Sequence, residues 1–234
     1  MLESPAILGI ADYGTERIPE ALAHRLADRF VELGGVWLDT AECYAFWANA
    51  HGVPDRIAGD LVRRHPSLKI IAKGAHVGMP PGYPRQDRFL TREIAEADLA
   101  ESLRRMRLDR VDLWLFHRDD PRVPVEEIVE IGASLVLDGR AGAWGVSNWS
   151  GVRVQEAQAA AARAGLPGIS VVENQWSMVP PVWTMDGTPG EVRWVTEEDE
   201  ALFLDAGVEI AAYSPSAGGF FAGRERGDFD TPAN

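Results

Sequence analysis

With 234 residues, 46% hydrophobic and 25% charged, the chain has the composition of a globular protein and the length of one large domain or two small ones. Its net charge of −13 excludes the basic surface that neutralises phosphate, so neither nucleic acid nor an anionic membrane is expected as partner. The single Cys43 excludes an internal disulfide, and the opening MLESPAILGIADYG has neither the basic region of a signal peptide nor the apolar length of a membrane span. A cytoplasmic setting is the expectation.

Taken in chain order, AILGIA (residues 6–11) reads as a first buried strand. Ile18, Leu22, Leu26, Phe30 and Leu33 then recur on one helical face, with Pro19 near its start and Gly34-Gly35 as its stop. VWLD (36–39) is a second strand, residues 56–65 a short helix ended by Pro66, and KIIAK (69–73) a third strand. Residues 74–89, rich in Gly and Pro, read as a long loop. Thr91 is placed to cap a helix whose Ile94, Leu99, Leu103 and Met106 form an apolar stripe. A fourth strand (111–116), a helix (124–137) and a fifth strand (143–147) follow. Ser150 is placed to cap the Ala-rich helix that runs to Ala164. A sixth strand (170–174), a loop rich in Pro and Trp, a helix (196–205) and a seventh strand (208–213) complete the pattern.

Strands that are apolar along most of their length are buried on both faces, which requires a parallel sheet covered by helices. The candidates are a doubly wound sheet and a (β/α)8 TIM barrel. Asp39, Lys73, His117, Ser147-Asn148 and Gln175 fall at the C-terminal ends of five strands. A barrel gathers such ends at one mouth, whereas an open sheet spreads them along an edge. A parallel (β/α)8 barrel, as a single domain over residues 1–234, is therefore expected. After Tyr213 the chain reads SPSAGGFFAGRERGDFDTPAN, without an eighth β/α unit. Because a barrel short of one strand exposes two unpaired edges, the folded protein is expected to extend beyond these residues at its C-terminal side.

Four residues carry the chemistry of that mouth. A tyrosine ionises at about pH 10 unless perturbed, and a nearby ammonium favours its phenolate. Tyr44 and Lys73 supply that pair, Asp39 is placed to hold the lysine, and His117 to hydrogen-bond a substrate oxygen. Together they read as a proton-donating site with an oxyanion stabiliser. Singly, each has a plainer reading: a packed tyrosine, a hydrogen-bonded histidine, a structural Asp–Lys pair. Their joint occurrence at the ends of three strands favours the site. His24, His51, His65 and His76 show no ligand spacing, so no metal site is expected. Arg118-Asp119-Asp120 reads as a solvated turn.

DTAECY, the strand ending in Lys73, DRVDLWLFHRDDP and GRAGAWGVSNWS, in this order, resemble the aldo-keto reductase superfamily over nearly the whole chain. The resemblance implies that Asp39, Tyr44, Lys73 and His117 form a catalytic tetrad. It implies an enzyme that interconverts an aldehyde or ketone and an alcohol by hydride transfer, with Tyr44 as general acid/base. It further implies that Ser147, Asn148 and Gln175 bind a nicotinamide carboxamide and that Tyr213 stacks on the ring. Ser214, Pro215, Ser216 and Gly218 would then lie along the pyrophosphate, where small residues allow close backbone approach. NADP is the expected cofactor, with NAD possible, and a small carbonyl or alcohol the expected substrate. Phe46, Trp47, Trp149, Trp176 and Trp183 place aromatic surface in the mouth loops, suited to an apolar or sugar-like carbonyl.

The sequence departs from the family pattern in three respects. No hairpin precedes residue 6, the glycine-rich segment after the first strand is reduced to ADYGTE with Asp12 as a weak contact, and the eighth strand with its basic cofactor-gripping residues lies outside the chain. The alternative readings are a non-catalytic or slow nicotinamide-binding regulatory or sensor protein on the same barrel, and an unrelated barrel lyase or isomerase. The residues leave oligomeric state open.

Overall fold

Strand and helix alternate throughout the computed structural model, which describes residues 2, 6–77, 88–180, 185, 187 and 189–222. The strands are β1 (Ile7–Gly9), β2 (Trp37–Asp39), β3 (Lys69–Gly74), β4 (Val111–Phe116), β5 (Ala141–Ser147), β6 (Val171–Gln175) and β7 (Glu209–Tyr213). The α-helices between them are α1 (Glu20–Glu32), α2 (Val53–Arg64), α3 (Arg92–Met106), α4 (Val125–Leu137), α5 (Gly151–Ala164) and α6 (Glu197–Asp205). Short 3-10 turns at Phe46–Ala48 and Ala217–Ala222 had no counterpart in the sequence reading.

All seven strands form one sheet in sequence order, every neighbouring pair parallel. Side-chain contacts show that the sheet curls. Lys73 on β3 lies 3.2 Å from Glu173 on β6, although three strand spacings of a flat sheet would separate them by roughly 14 Å. At the other side the Leu2 amide donates to Glu209 of β7 at 2.8 Å, bringing the segment ahead of β1 to the last strand. This is the wall of a parallel (β/α)8-type barrel, with seven strands among the described residues.

Side chains alternate across each strand, so two cores result. Trp37, Ile71, Leu113, Leu115, Val171 and Ala211 meet inside the barrel. The intervening residues, including Leu38, Ala72, Trp114, Trp144 and Val172, pack outward under the helices. The same alternation carries the inward row on to Asp39, Lys73, Ser147, Glu173, Gln175 and Tyr213, which therefore sit above the inner core at the C-terminal mouth.

Local signals acted as expected at several helices. The Thr91 hydroxyl accepts from Ile94 N–H and the Ser150 hydroxyl from Arg153 N–H, capping α3 and α5. Thr196 and Asp199 form a reciprocal capping box on α6. Two expectations shift. On α1 the fully buried residues are Ala23 and Ala27; of the expected face, Ile18 and Phe30 pack against the core while Leu26 and Leu33 are 41% and 70% exposed. The buried strand expected at residues 6–11 is only three residues long and half-exposed, as is much of β7, because both are end strands of the sheet. No helix among the described residues is long and apolar enough to cross a membrane.

Candidate active site

The segment DTAECY is fixed before it reaches the mouth. Thr40 and Glu42 continue the parallel ladder beyond β2, donating to the carbonyls of Ile71 and Lys73 at 2.9 and 2.8 Å. Asp55, fully buried on α2, accepts from Thr40 at 2.7 Å and from Ser102 on α3 at 2.9 Å. Arg105 on α3 donates to the Glu42 carbonyl at 2.9 Å and to its carboxylate at 3.0 Å. Thus α2 and α3 clamp the loop that carries Tyr44, a support that sequence reading missed.

Within the mouth the Lys73 ammonium donates to Asp39 Oδ1 and stands 3.2 Å from Glu173 Oε1. The Tyr44 hydroxyl donates to Asp39 Oδ2 at 3.4 Å, and Lys73 Nζ lies 5.2 Å from the Tyr44 ring centre. His117 meets Tyr44 edge to face, with ring centres 5.8 Å apart. Asp39, Tyr44, Lys73 and His117 are thus brought together as the sequence suggested, with Glu173 as a fifth member. Glu173 escaped notice inside the apolar run VVEN, although alternation from inward Val171 marks it as the next inward position.

Burial dominates the ionisation of this cluster. It works against the Lys73 charge, but Asp39, Glu173 and Tyr44 together outweigh it and hold Lys73 well above its ordinary pKa. Glu173 is pushed up to about 7 by burial and by Asp39, against the pull of Lys73. Tyr44 departs from the sequence expectation. Lys73 does favour the phenolate, yet burial and Asp39 outweigh it and raise the phenol well above 10. His117 is held well below its usual value by burial and then by His76, Arg118 and Lys73, so its imidazole is neutral. Burial pushes Cys43 up to about 12, which keeps it a thiol.

Ser147, Asn148, Gln175 and Tyr213 share the same end of the sheet. The Tyr213 hydroxyl donates to Asn148 Oδ1 at 2.7 Å. The Asn148 amide donates to Ser147 Oγ at 2.9 Å and to the His117 carbonyl at 3.1 Å, and Ser147 Oγ donates to the Glu173 carbonyl at 2.7 Å. Ser214, Pro215 and Ser216 follow β7 on the exposed rim, and Gly218 lies in the 3-10 turn. Asn148 and Ser214 adopt left-handed φ of 63° and 55°, as do Ala45 beside Tyr44 (59°) and Ala75 beside His76 (56°). Strained backbone of this kind persists only where surrounding contacts enforce it.

The mouth aromatics divide. Trp149 is fully buried with the Arg153 guanidinium 5.1 Å from its ring centre, a packing role. Trp47 and Trp176 are exposed, and Trp47 stands edge to face with Tyr44 at 6.2 Å. Trp183 lies outside the described residues. The turn after His117 is not solvated: Asp120 is buried and pairs with Arg122 at 2.8 Å, and Asp119 pairs with Arg153 at 3.2 Å. Asp12, the weak candidate, pairs with Arg17 at 2.8 Å near the chain surface.

Comparison with known proteins agrees with this geometry. The model of the "Aldo/keto reductase family" matches residues 5–233. The chain is 27% identical over 222 residues to "Uncharacterized oxidoreductase YrpG" of Bacillus subtilis, covering 93% of this chain and 64% of that protein. It is 29% identical over 192 residues to "Probable voltage-gated potassium channel subunit beta" of Arabidopsis thaliana, covering 80% of this chain and 52% of that protein. The chain thus spans less than two thirds of the length of either relative. With a family match across nearly all its residues and the Asp39, Tyr44, Lys73 and His117 cluster at the barrel mouth, this chain belongs to the aldo/keto reductase family.

Proposed function

We propose that the protein is a nicotinamide-dependent oxidoreductase that interconverts an aldehyde or ketone and an alcohol, with Tyr44 as the proton donor. The observation that carries this reading is the buried Asp39–Lys73–Glu173 ion cluster beside the Tyr44 hydroxyl, with neutral His117 across from it. Tyr44 keeps its proton until a stronger base forms on the substrate oxygen. The adjacent Lys73 ammonium then stabilises the phenolate, and Asp39 and Glu173 hold Lys73 charged. Neutral His117 donates an imidazole N–H to the carbonyl oxygen and so favours developing negative charge there.

A reduced nicotinamide, when bound, supplies the hydride. The residues present suit that group: a hydroxyl and two amides at Ser147, Asn148 and Gln175 match a carboxamide, and Tyr213 is held beside them by its hydrogen bond to Asn148. Ser147, Asn148 and Gln175 would hold the carboxamide and Tyr213 the ring, with Ser214, Pro215, Ser216 and Gly218 along the pyrophosphate. NADP is proposed over NAD from the family alone.

Purified full-length protein with NADPH or NADH and a panel of aldehydes tests the reading through loss of the reduced nicotinamide's absorbance. Turnover supports it. Cofactor binding without turnover of any carbonyl would favour a regulatory or sensor role instead.

A further inference from the structure

Three side chains from separate loops converge beside the proton-donating cluster. Cys43 follows β2, His76 follows β3 and His117 follows β4. All three are buried, and one ligand atom from each lies within 4.8 Å of the others. Cys43 Sγ stands 3.6 Å from His117 Nδ1, and the two imidazoles meet edge to face with centres 4.6 Å apart. The backbone aims His76: Ala75 takes a left-handed φ of 56°, and its N–H donates to Asp98 Oδ2 at 2.8 Å. His76 Nδ1 lies 2.6 Å from the Val77 carbonyl. A carbonyl only accepts, so Nδ1 carries the proton and Nε2 the lone pair.

We propose that Cys43, His76 and His117 form a three-ligand site for a borderline-soft divalent transition metal of the zinc class. One thiolate and two imidazoles are a donor set that prefers such ions to magnesium or calcium, and three protein ligands leave a fourth position for water or another small ligand. With Zn–S bonds of about 2.3 Å and Zn–N bonds of about 2.0 Å, tetrahedral S and N donors stand roughly 3.5 Å apart. The Cys43–His117 pair already has that spacing, and the widest pair has to close by on the order of 1 Å.

Coordination breaks the Cys43 S–H bond, releases that proton to solvent and forms an S–metal bond, with no change of oxidation state. A metal on His117 Nδ1 leaves the ring proton on Nε2, so that nitrogen remains a donor. The site is therefore compatible with Tyr44 chemistry but does not depend on it. Sequence spacing concealed the set, because its members are separated by 33 and 41 residues and meet only through the barrel.

Cobalt(II) is the direct probe, since thiolate ligation produces a near-ultraviolet charge-transfer band and tetrahedral geometry produces intense visible bands. Cys43 is the one cysteine among these 234 residues, and comparing the band in untagged, chelator-treated wild-type and Cys43→Ser protein assigns it to that residue. The expected result is saturation at one cobalt per chain and displacement by zinc. Cys43→Ser should remove the charge-transfer band, and His76→Asn should weaken binding by about ten-fold or more. Absence of the band in the wild type, or unchanged affinity in His76→Asn, overturns the site. A band that persists in Cys43→Ser overturns it equally, and His76→Gln serves if His76→Asn does not fold. None of these readouts involves a nicotinamide or a carbonyl, so failure here is distinct from failure of the oxidoreductase reading.

Discussion

At Lys73 a single buried ammonium answers two buried carboxylates, Asp39 on one side and Glu173 on the other. Removing it leaves both carboxylates unmatched in a dry interior, where an uncompensated charge costs more than the intact cluster contributes. Lys73→Met is expected to lose about 3–5 kcal/mol of stability at neutral pH. Burial already lifts Asp39 and Glu173 above their ordinary values, so acid protonates them readily in the variant and the loss shrinks as pH falls. Adding Glu173→Gln to Lys73→Met should recover part of the loss by removing one of the opposed charges. Urea unfolding at pH 5 and pH 8 checks both points; a Lys73→Met defect independent of pH would mean that lost packing dominates instead.

Strands and helices were largely legible because a covered parallel sheet repeats a strong signal: short apolar runs, capped helices, and Gly or Pro between them. What stayed hidden depends on neighbours in space. The inward turn of Glu173 follows from alternation within β6, but its meaning appears only when the curled sheet places Lys73 against it. The α1 face was only partly legible: periodicity weighs Leu over Ala, yet Ala23 and Ala27 are the fully buried positions, with Ile18 and Phe30 of the expected face packed against the core. Asp55 and Arg105 carry no distinguishing mark in the sequence; their role arises only where α2 and α3 meet around Glu42. That meeting needs a small residue: a Cβ on Gly59 of α2 would stand 2.0 Å from the Met106 carbonyl oxygen of α3. Gly59→Ala is therefore expected to push the two helices apart and destabilise the protein by about 3 kcal/mol. A lower urea midpoint with an unchanged slope is the expected signature. An unaltered midpoint would show that the helices separate without penalty.

Across the whole molecule, buried acids make stability depend on pH. Burial raises Asp55 to about 7, its hydrogen bonds from Thr40 and Ser102 only partly offsetting this, and burial raises Asp119 to about 6. A carboxyl whose folded pKa exceeds its unfolded value contributes stability that is full below about pH 4 and is lost as pH rises through the folded value. The protein should accordingly be less stable at pH 8 than at pH 5. Asp55→Asn should reduce that difference by on the order of 2 kcal/mol, read from unfolding free energies at the two pH values. An undiminished difference in the variant would place the dependence elsewhere. At the same scale, the barrel wall gathers strand ends distant in sequence around Tyr44, the proposed proton donor. The most direct test compares wild type and Tyr44→Phe for NADPH-dependent aldehyde reduction, with thermal unfolding measured on both. With Tyr44 as proton donor, kcat should fall by about 10²–10⁴-fold in a variant that remains folded; a folded Tyr44→Phe protein that reduces aldehydes at the wild-type rate would contradict that role.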